Sequence, residues 1–361
     1  MVTSITPKRT LLLAISSCLV LLSSCGRFSS DRLALFPIRS VNFPPITEEL
    51  QITRASNVDF ELMPFNIVDS TRLLECSQIA SPGFLFTIRD IATGEPVCSL
   101  CRYGRGPGEF QALLGWTDIH ENKMPALDPT TMKYYEIDIN KTQEKGVDVY
   151  SCAVQLSNDV SSDSYSISPI YKKGDELIAY VSPRSGMTPC FYVYDLISGE
   201  KIREYRLFSG MSRPKDRLKA KESNSFQCFQ TIKPDRTKIC IAMPREPEII
   251  IMDTSTGKAF GIRIQHPLGG KLEGKGFYFR DIAASDTRIY ALYTGNEEKK
   301  GKSYICVFNW EGKFESCILL DQVYYQLKYN EERLYLTADF VNDHKLYFTY
   351  LPSINPKRNG N

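Results

Sequence analysis

One strand pattern returns six times between Phe65 and the C-terminus, and few folds are compatible with such a repeat. Each unit has an apolar–polar segment, a polar turn, a second apolar run, then a third strand ending in a hairpin. The units begin at Phe65-Asn66-Ile67-Val68, Thr117-Asp118-Ile119-His120, Ser168-Pro169-Ile170-Tyr171, Gln230-Thr231-Ile232-Lys233, Arg280-Asp281-Ile282-Ala283 and Tyr325-Gln326-Leu327-Lys328. The matched apolar residues are Ile67, Ile119, Ile170, Ile232, Ile282 and Leu327, spaced 45 to 62 residues apart. A β-strand repeat of that length is what a propeller blade needs.

The third strands repeat as clearly as the first. Phe84–Asp90, Tyr134–Asp138, Phe191–Asp195 and Ile249–Asp253 close on Asp, and Tyr304–Asn309 closes on Asn. Turns such as Ile197-Ser198-Gly199-Glu200 and Ser255-Thr256-Gly257-Lys258 follow. Gly supplies the positive φ of a tight hairpin, and the preceding Asp or Asn can bond the turn backbone. Outer strands such as Lys201–Leu207 alternate with period two. No helical periodicity of any strength appears, which excludes a parallel α/β fold. The sixth unit ends near Tyr350, with Pro352 and Pro356 beyond it, so it holds three strands. Part of the segment from Ala34 to Arg54 is expected to complete it. The chain therefore reads as all-β: residues 34–361 form a six-bladed β-propeller of four-stranded antiparallel blades, closed by an N-terminal strand.

Residues 1–24 read as a signal peptide. Lys8 and Arg9 precede the apolar stretch Leu11–Leu22, which is too short for a permanent span of ~20 residues. Leu22-Ser23-Ser24-Cys25 resembles a bacterial lipobox, whose cysteine thiol is diacylated before the peptide is removed. Two or three acyl chains anchor stably where one binds only marginally. Residues 25–33 then form the lipidated cysteine and a tether. Gly26 follows the cysteine, so no aspartate argues for retention in the inner membrane. The expected address is the bacterial cell envelope, at the outer membrane.

The formal charge of +2 falls to zero once Lys8 and Arg9 are removed, giving no electrostatic preference for nucleic acid. The chain is expected to be a monomer whose partners are the membrane, through its anchor, and an envelope protein or small ligand. Of the 11 cysteines, Cys18 is cleaved and Cys25 lipidated, and the odd remainder cannot all pair. Cys76, Cys240 and Cys306 lie in strand patterns and read as small buried hydrophobes. Cys98-Ser99-Leu100-Cys101 has redox spacing, but residues three apart on a strand face opposite sides. An insertion from Ser209 to Ser225 carries Arg213, Lys215, Arg217, Lys219 and Lys221, and reads as a solvated loop or a contact for an anionic partner.

Gly104-Arg105-Gly106-Pro107-Gly108-Glu109-Phe110 joins the first blade to the second. It resembles a signature of TolB-like six-bladed propeller lipoproteins, as do Asp286–Gly295 and Ile305–Lys313. The resemblance spans the mature chain and implies the fold, with little about activity. Read from its residues, the run is a crossing loop near the channel mouth. Glu109 or Arg102 would tie it to a neighbouring blade and Phe110 would seat it, or its N–H groups would cradle an anion. A phosphate loop is excluded, since no Gly-Lys-Ser/Thr and no helix follow.

Catalytic signals are sparse. His120, His266 and His344 are the only histidines, at spacings that suggest no zinc site. No Gly-x-Ser-x-Gly elbow is present. Asp118 and Asp281 precede the matched Ile in the second and fifth units, on a strand that flanks the channel. They could hold an oxygen-ligand cation such as Ca²⁺, or hydrogen-bond a loop backbone or Arg280. The latter is the expectation, so no cofactor is assigned. The sequence thus favours a lipid-anchored binding module over a metal-assisted hydrolase or lyase working at the channel.

Overall fold

The structure is a computed structural model that describes residues 33–50, 52–59, 65–76, 83–157, 165–183, 188–209, 228–271, 276–338 and 345–351. The signal segment, Cys25, residues 210–225 of the basic insertion and His344 lie outside them. Six mainly antiparallel sheets form a six-bladed propeller. From the centre outward, the first blade is Phe65–Ile67, Arg72–Cys76, Phe84–Asp90 and Pro96–Arg102. The third is Tyr165–Lys173, Glu176–Pro183, Cys190–Asp195 and Lys201–Arg206.

The N-terminal segment does more than close the last blade. Ile38–Val41 adds a parallel fifth strand outside Ala259–Ile264 of the fourth blade. Ile46–Leu50 does the same outside Phe314–Leu320 of the fifth. Thr53–Asp59 then pairs antiparallel with Lys345–Tyr350 as the outer strand of the sixth blade, Thr53 opposite Phe348. The closing strand thus starts at the end of the expected segment and runs beyond it. Leu33–Ala34 pairs with Phe208–Ser209 at the end of the third blade, so the segment clasps four consecutive blades.

The second blade departs from four strands. Its sheet holds Lys123–Asp128, Lys133–Asp138 and Tyr150–Gln155. The inner stretch, which carries Thr117–His120, touches it only at the bridges Leu114–Leu127 and His120–Lys123. Continuing the latter register sets Pro125 opposite Asp118, and proline has no N–H to donate to a ladder. Asp138 closes no hairpin in this blade. Its side chain accepts the Lys141 N–H as N-cap of a short α-helix, Ile139–Lys145, which ends at Gly146 with φ 66°.

The other hairpins follow the sequence. Asp90, Asp195 and Asp253 accept N–H bonds from the turns they precede, and Asn309 accepts from Lys313. Gly199 (φ +77°) has a second role: a Cβ there would lie 1.9 Å from the Gln155 carbonyl oxygen of the preceding blade.

The core is a ring of wedges between blades. Cys240, Ala242, Ile249 and Ile251 of the fourth blade pack against Ile289, Ala291 and Phe308 of the fifth. Ile239, Ile241, Ile250 and Met252 turn the other way, onto Tyr180, Phe191 and Val193 of the third. Middle strands are therefore apolar on both faces, which explains the unbroken run Ile249–Met252. The seam between sixth and first blades joins Tyr335 and Leu346 to Phe65, Ile67, Leu73 and Ile91. All nine described cysteines are free, with Cys76, Cys240 and Cys306 buried as expected.

Deleting residues 26–59 removes the closing strand and both rim strands. The expected result is a melting temperature lower by about 10 °C or more, at ~2–4 °C per kcal/mol for a large domain. Deleting 26–32 alone should leave it unchanged. A normal melting curve for the longer deletion would place ring closure elsewhere.

Candidate functional site at the channel mouth

The inner strands converge on a cavity of about 280 Å³ to which all six blades contribute, through Asn66, Asp118, Tyr171, Thr231, Ala283 and Asn330 among others. It lies at the end of the propeller where each inner strand turns into the second strand of its blade. Side chains preceding the matched residue tie neighbouring blades together around it. Asn66 Nδ2 donates to the Thr117 carbonyl at 2.8 Å. Asp118 lies near the Lys172 N–H of the third blade, which pulls its carboxyl down slightly. Asp281 accepts from the Leu327 N–H and from Lys328 Nζ of the sixth, both at 2.8 Å.

Asp118 makes one longer reach. Arg236, in the inner turn of the fourth blade, passes the third blade and places Nη1 2.6 and 2.5 Å from the two Asp118 oxygens. Only 9% of the Asp118 and 11% of the Arg236 side chain is exposed. Burial pushes the Asp118 carboxyl above the usual aspartate range although the guanidinium pulls it down. The same residues, with His120, wall a second cavity of about 410 Å³ between second and third blades. There Glu136 meets Lys172 at 2.6 Å, Lys123 at 3.5 Å and Ser151 Oγ at 2.6 Å. Burial raises the Glu136 carboxyl, but these partners together hold it below its ordinary value. The half-exposed His120 imidazole is shifted down by partial burial and then by Arg236.

The sequence candidates therefore separate. Asp118 lines the cavity and meets Arg236; Asp281 is buried between the fifth and sixth blades and takes a backbone N–H, from Leu327. Arg280 lies toward the other end of the inner strands, with its guanidinium between the rings of Phe277 at 4.8 Å and Tyr325 at 4.9 Å. Phe277 also faces Arg245 at 4.8 Å.

The loop Gly104, Arg105, Gly106, Pro107, Gly108, Glu109, Phe110 is at the opposite end as well, because it joins an outer strand to the next blade. It does not line the cavity. Glu109 folds back on its own loop, accepting the Gly106 N–H at 2.8 Å and lying 3.5 Å from Arg102. A Cβ on Gly104 would sit 2.0 Å from the Glu109 carboxylate, so that fold-back requires glycine. The tie to the neighbouring blade is Phe110 instead, which packs edge-on against Tyr135 and Tyr150.

Among the described residues no three His, Cys, Asp or Glu side chains cluster to hold a metal ion. His266 is exposed on a connection between fourth and fifth blades, far along the chain from the His120 turn. Cys98 is half-buried and Cys101 buried, and burial raises both thiols. Nothing in the sequence marks Arg236: the turn Lys233-Pro234-Asp235-Arg236 reads as solvated, and no spacing connects it with a residue 118 positions earlier.

No protein-family model matches the chain, and no curated protein matches it. Among solved structures, the chain is similar to a member of the DUF4221 family from Bacteroides vulgatus, at 13% identity over 88% of this chain and 95% of that one, with a TM-score of 0.49. It is similar to regucalcin, a calcium-binding protein from Agrobacterium tumefaciens, at 11% identity, 87% and 95% coverage and a TM-score of 0.43. BamB from Moraxella catarrhalis aligns at 11% identity over 79% and 71%, with a TM-score of 0.39. At such values these likenesses add no argument to the strand topology.

Asp118→Asn leaves a buried guanidinium without its counter-charge, and is expected to cost about 3–5 kcal/mol in urea unfolding. Adding Arg236→Gln should recover part of that loss, because the two side chains form one unit. Strictly additive losses would mean that the pair contributes no coupling.

Proposed function

We propose that this protein is a lipid-anchored envelope propeller of the TolB-like kind that binds a small ligand, or part of a partner, at the channel mouth. The observation that carries this reading is the cavity itself. Six blades supply its walls, and its polar groups stand on a frame fixed by bonds between blades. Sites on such rigid supports are pre-organised, which lowers the entropic cost of binding. The anchoring half of the proposal is supported by the lipobox-like Cys25. From Cys25 to Leu33 an extended chain reaches at most ~28 Å at ~3.5 Å per residue. That tether would keep the rim of the third and fourth blades close to the membrane. No described helix is long and apolar enough to cross a membrane.

A metal-assisted hydrolase or lyase is the competing reading. It would need Asp118 or Asp281 as an open oxygen ligand, yet one is bonded to a guanidinium and the other to an ammonium. A Ca²⁺ ion would have to displace those cations.

Cys25→Ser is expected to move the protein from the membrane to the soluble fraction with its melting temperature intact. Membrane retention of the variant in high salt, with no acyl mass on the parent, would overturn the anchoring half. Ca²⁺, Mg²⁺ and Zn²⁺ are expected to leave the melting temperature unmoved. A rise that Asp118→Ala abolishes would restore the enzyme reading, since a bound ion stabilises the native state by mass action.

A further inference from the structure

We infer that the ligand of the channel mouth is a neutral saccharide, an inference that rests on the channel-mouth reading above. The first argument is charge. Each ionised side chain lining the cavity has its counter-charge beside it: Asp118 with Arg236, and Lys328 with Asp281 at 2.8 Å. His120 is shifted toward its neutral form, burial first and Arg236 second. The site therefore holds no uncompensated charge for an anion or a cation to neutralise, and placing a charged ligand there would cost desolvation without a matching gain.

The second argument is the alternation of surface chemistry. Thr117, Thr231 and Asn330 line the cavity, and their side chains bond no other described residue. Gln230 lines it too, its amide nitrogen directed at Cys228 Sγ and its oxygen without a partner among the described residues. That oxygen and the hydroxyl of Tyr171 are sealed within the wall of the cavity. A ligand hydroxyl, which both donates and accepts, can meet the side chains of Thr117, Thr231 and Asn330.

Ile67, Ile119, Ile232 and Ile282, four of the six matched residues, line the cavity too. So does Tyr329, whose ring stacks on Tyr290 at 5.5 Å and 20°. A sugar ring has this same make-up: hydroxyls around its edge and C–H groups on its faces. The cavity of about 280 Å³ equals roughly nine waters at ~30 Å³ each. That space suits a ligand of one or two rings.

The test is isothermal titration of the detergent-solubilised full-length protein. Neutral probes are glucose, galactose, mannose, N-acetylglucosamine and their disaccharides; glucuronate, galacturonate and glucose 6-phosphate are the charged controls. At least one neutral sugar is expected to bind, and its charged counterpart at least tenfold more weakly. Thr231→Val should weaken that binding several-fold by removing a hydroxyl at nearly constant volume. Ala284→Trp, at a half-buried lining position, should abolish it, with a cooperative melting curve showing that the ring is still folded. Binding of a charged control in preference, lost in Ala284→Trp, would overturn the saccharide assignment and keep the channel-mouth reading. Neutral-sugar binding that survives Ala284→Trp would overturn both. Binding of no probe would overturn the saccharide assignment alone.

Discussion

The antiparallel pairing of Thr53–Asp59 with Lys345–Tyr350 is the contact on which the rest of the molecule depends. A blade of this protein covers neither of its own faces. Its middle strands are apolar on both sides, and the core exists only as wedges between neighbours. The wedge between the sixth and first blades exists only if the ring is closed, and closure joins the two ends of the chain within one sheet. Closure also removes an unpaired strand edge, which is a template for aggregation. The rim strands Ile38–Val41 and Ile46–Leu50 extend this clasp over the fourth and fifth blades, so that the closing strand is held along its approach as well as in its ladder.

The channel mouth is built from the same device. Asn66, Asp118 and Asp281 sit in equivalent places; Asn66 and Asp281 bond the inner stretch of the next blade, and Asp118 lies near the Lys172 N–H of the third. These bonds fix the walls of the cavity while contributing to the seams between blades. The Asp118–Arg236 pair goes further, linking second and fourth blades across the third and separating two cavities. Stability and recognition are thus carried by the same side chains, and substitutions at the mouth should be read with a folding control beside them.

The sequence disclosed what depends on local rules. Matched isoleucines, Asp before the hairpin and Gly within it each report a strand or turn with a physical cause, and except at Asp138 the blades lie where those signals put them. Features set by distant partners were not legible. Pro125 looks like any strand residue until Asp118 stands opposite it. Ile38–Val41 and Ile46–Leu50 are short and weakly patterned, because as outermost strands they bury little. The helix Ile139–Lys145 is too short to show a period, although Asp138 and Gly146 bracket it as caps. Asp118 stands out through its place in the repeat. Arg236 does not, since only the folded ring brings it to Asp118. The loop Gly104–Phe110 was legible as a turn but not as to which end of the channel it occupies, which follows from the direction of the strands it joins.

The most direct measurement is native-state amide hydrogen exchange at the closing seam. If pairing of the chain ends governs the ring, amides of Thr53–Asp59 and Lys345–Tyr350 that bond within the ladder should exchange only through global unfolding. Their opening free energies should then match those of central strands such as Glu248–Asp253. Rapid exchange of the seam by local opening, with the central strands still protected, would show that the propeller holds together without its clasp and would contradict the account.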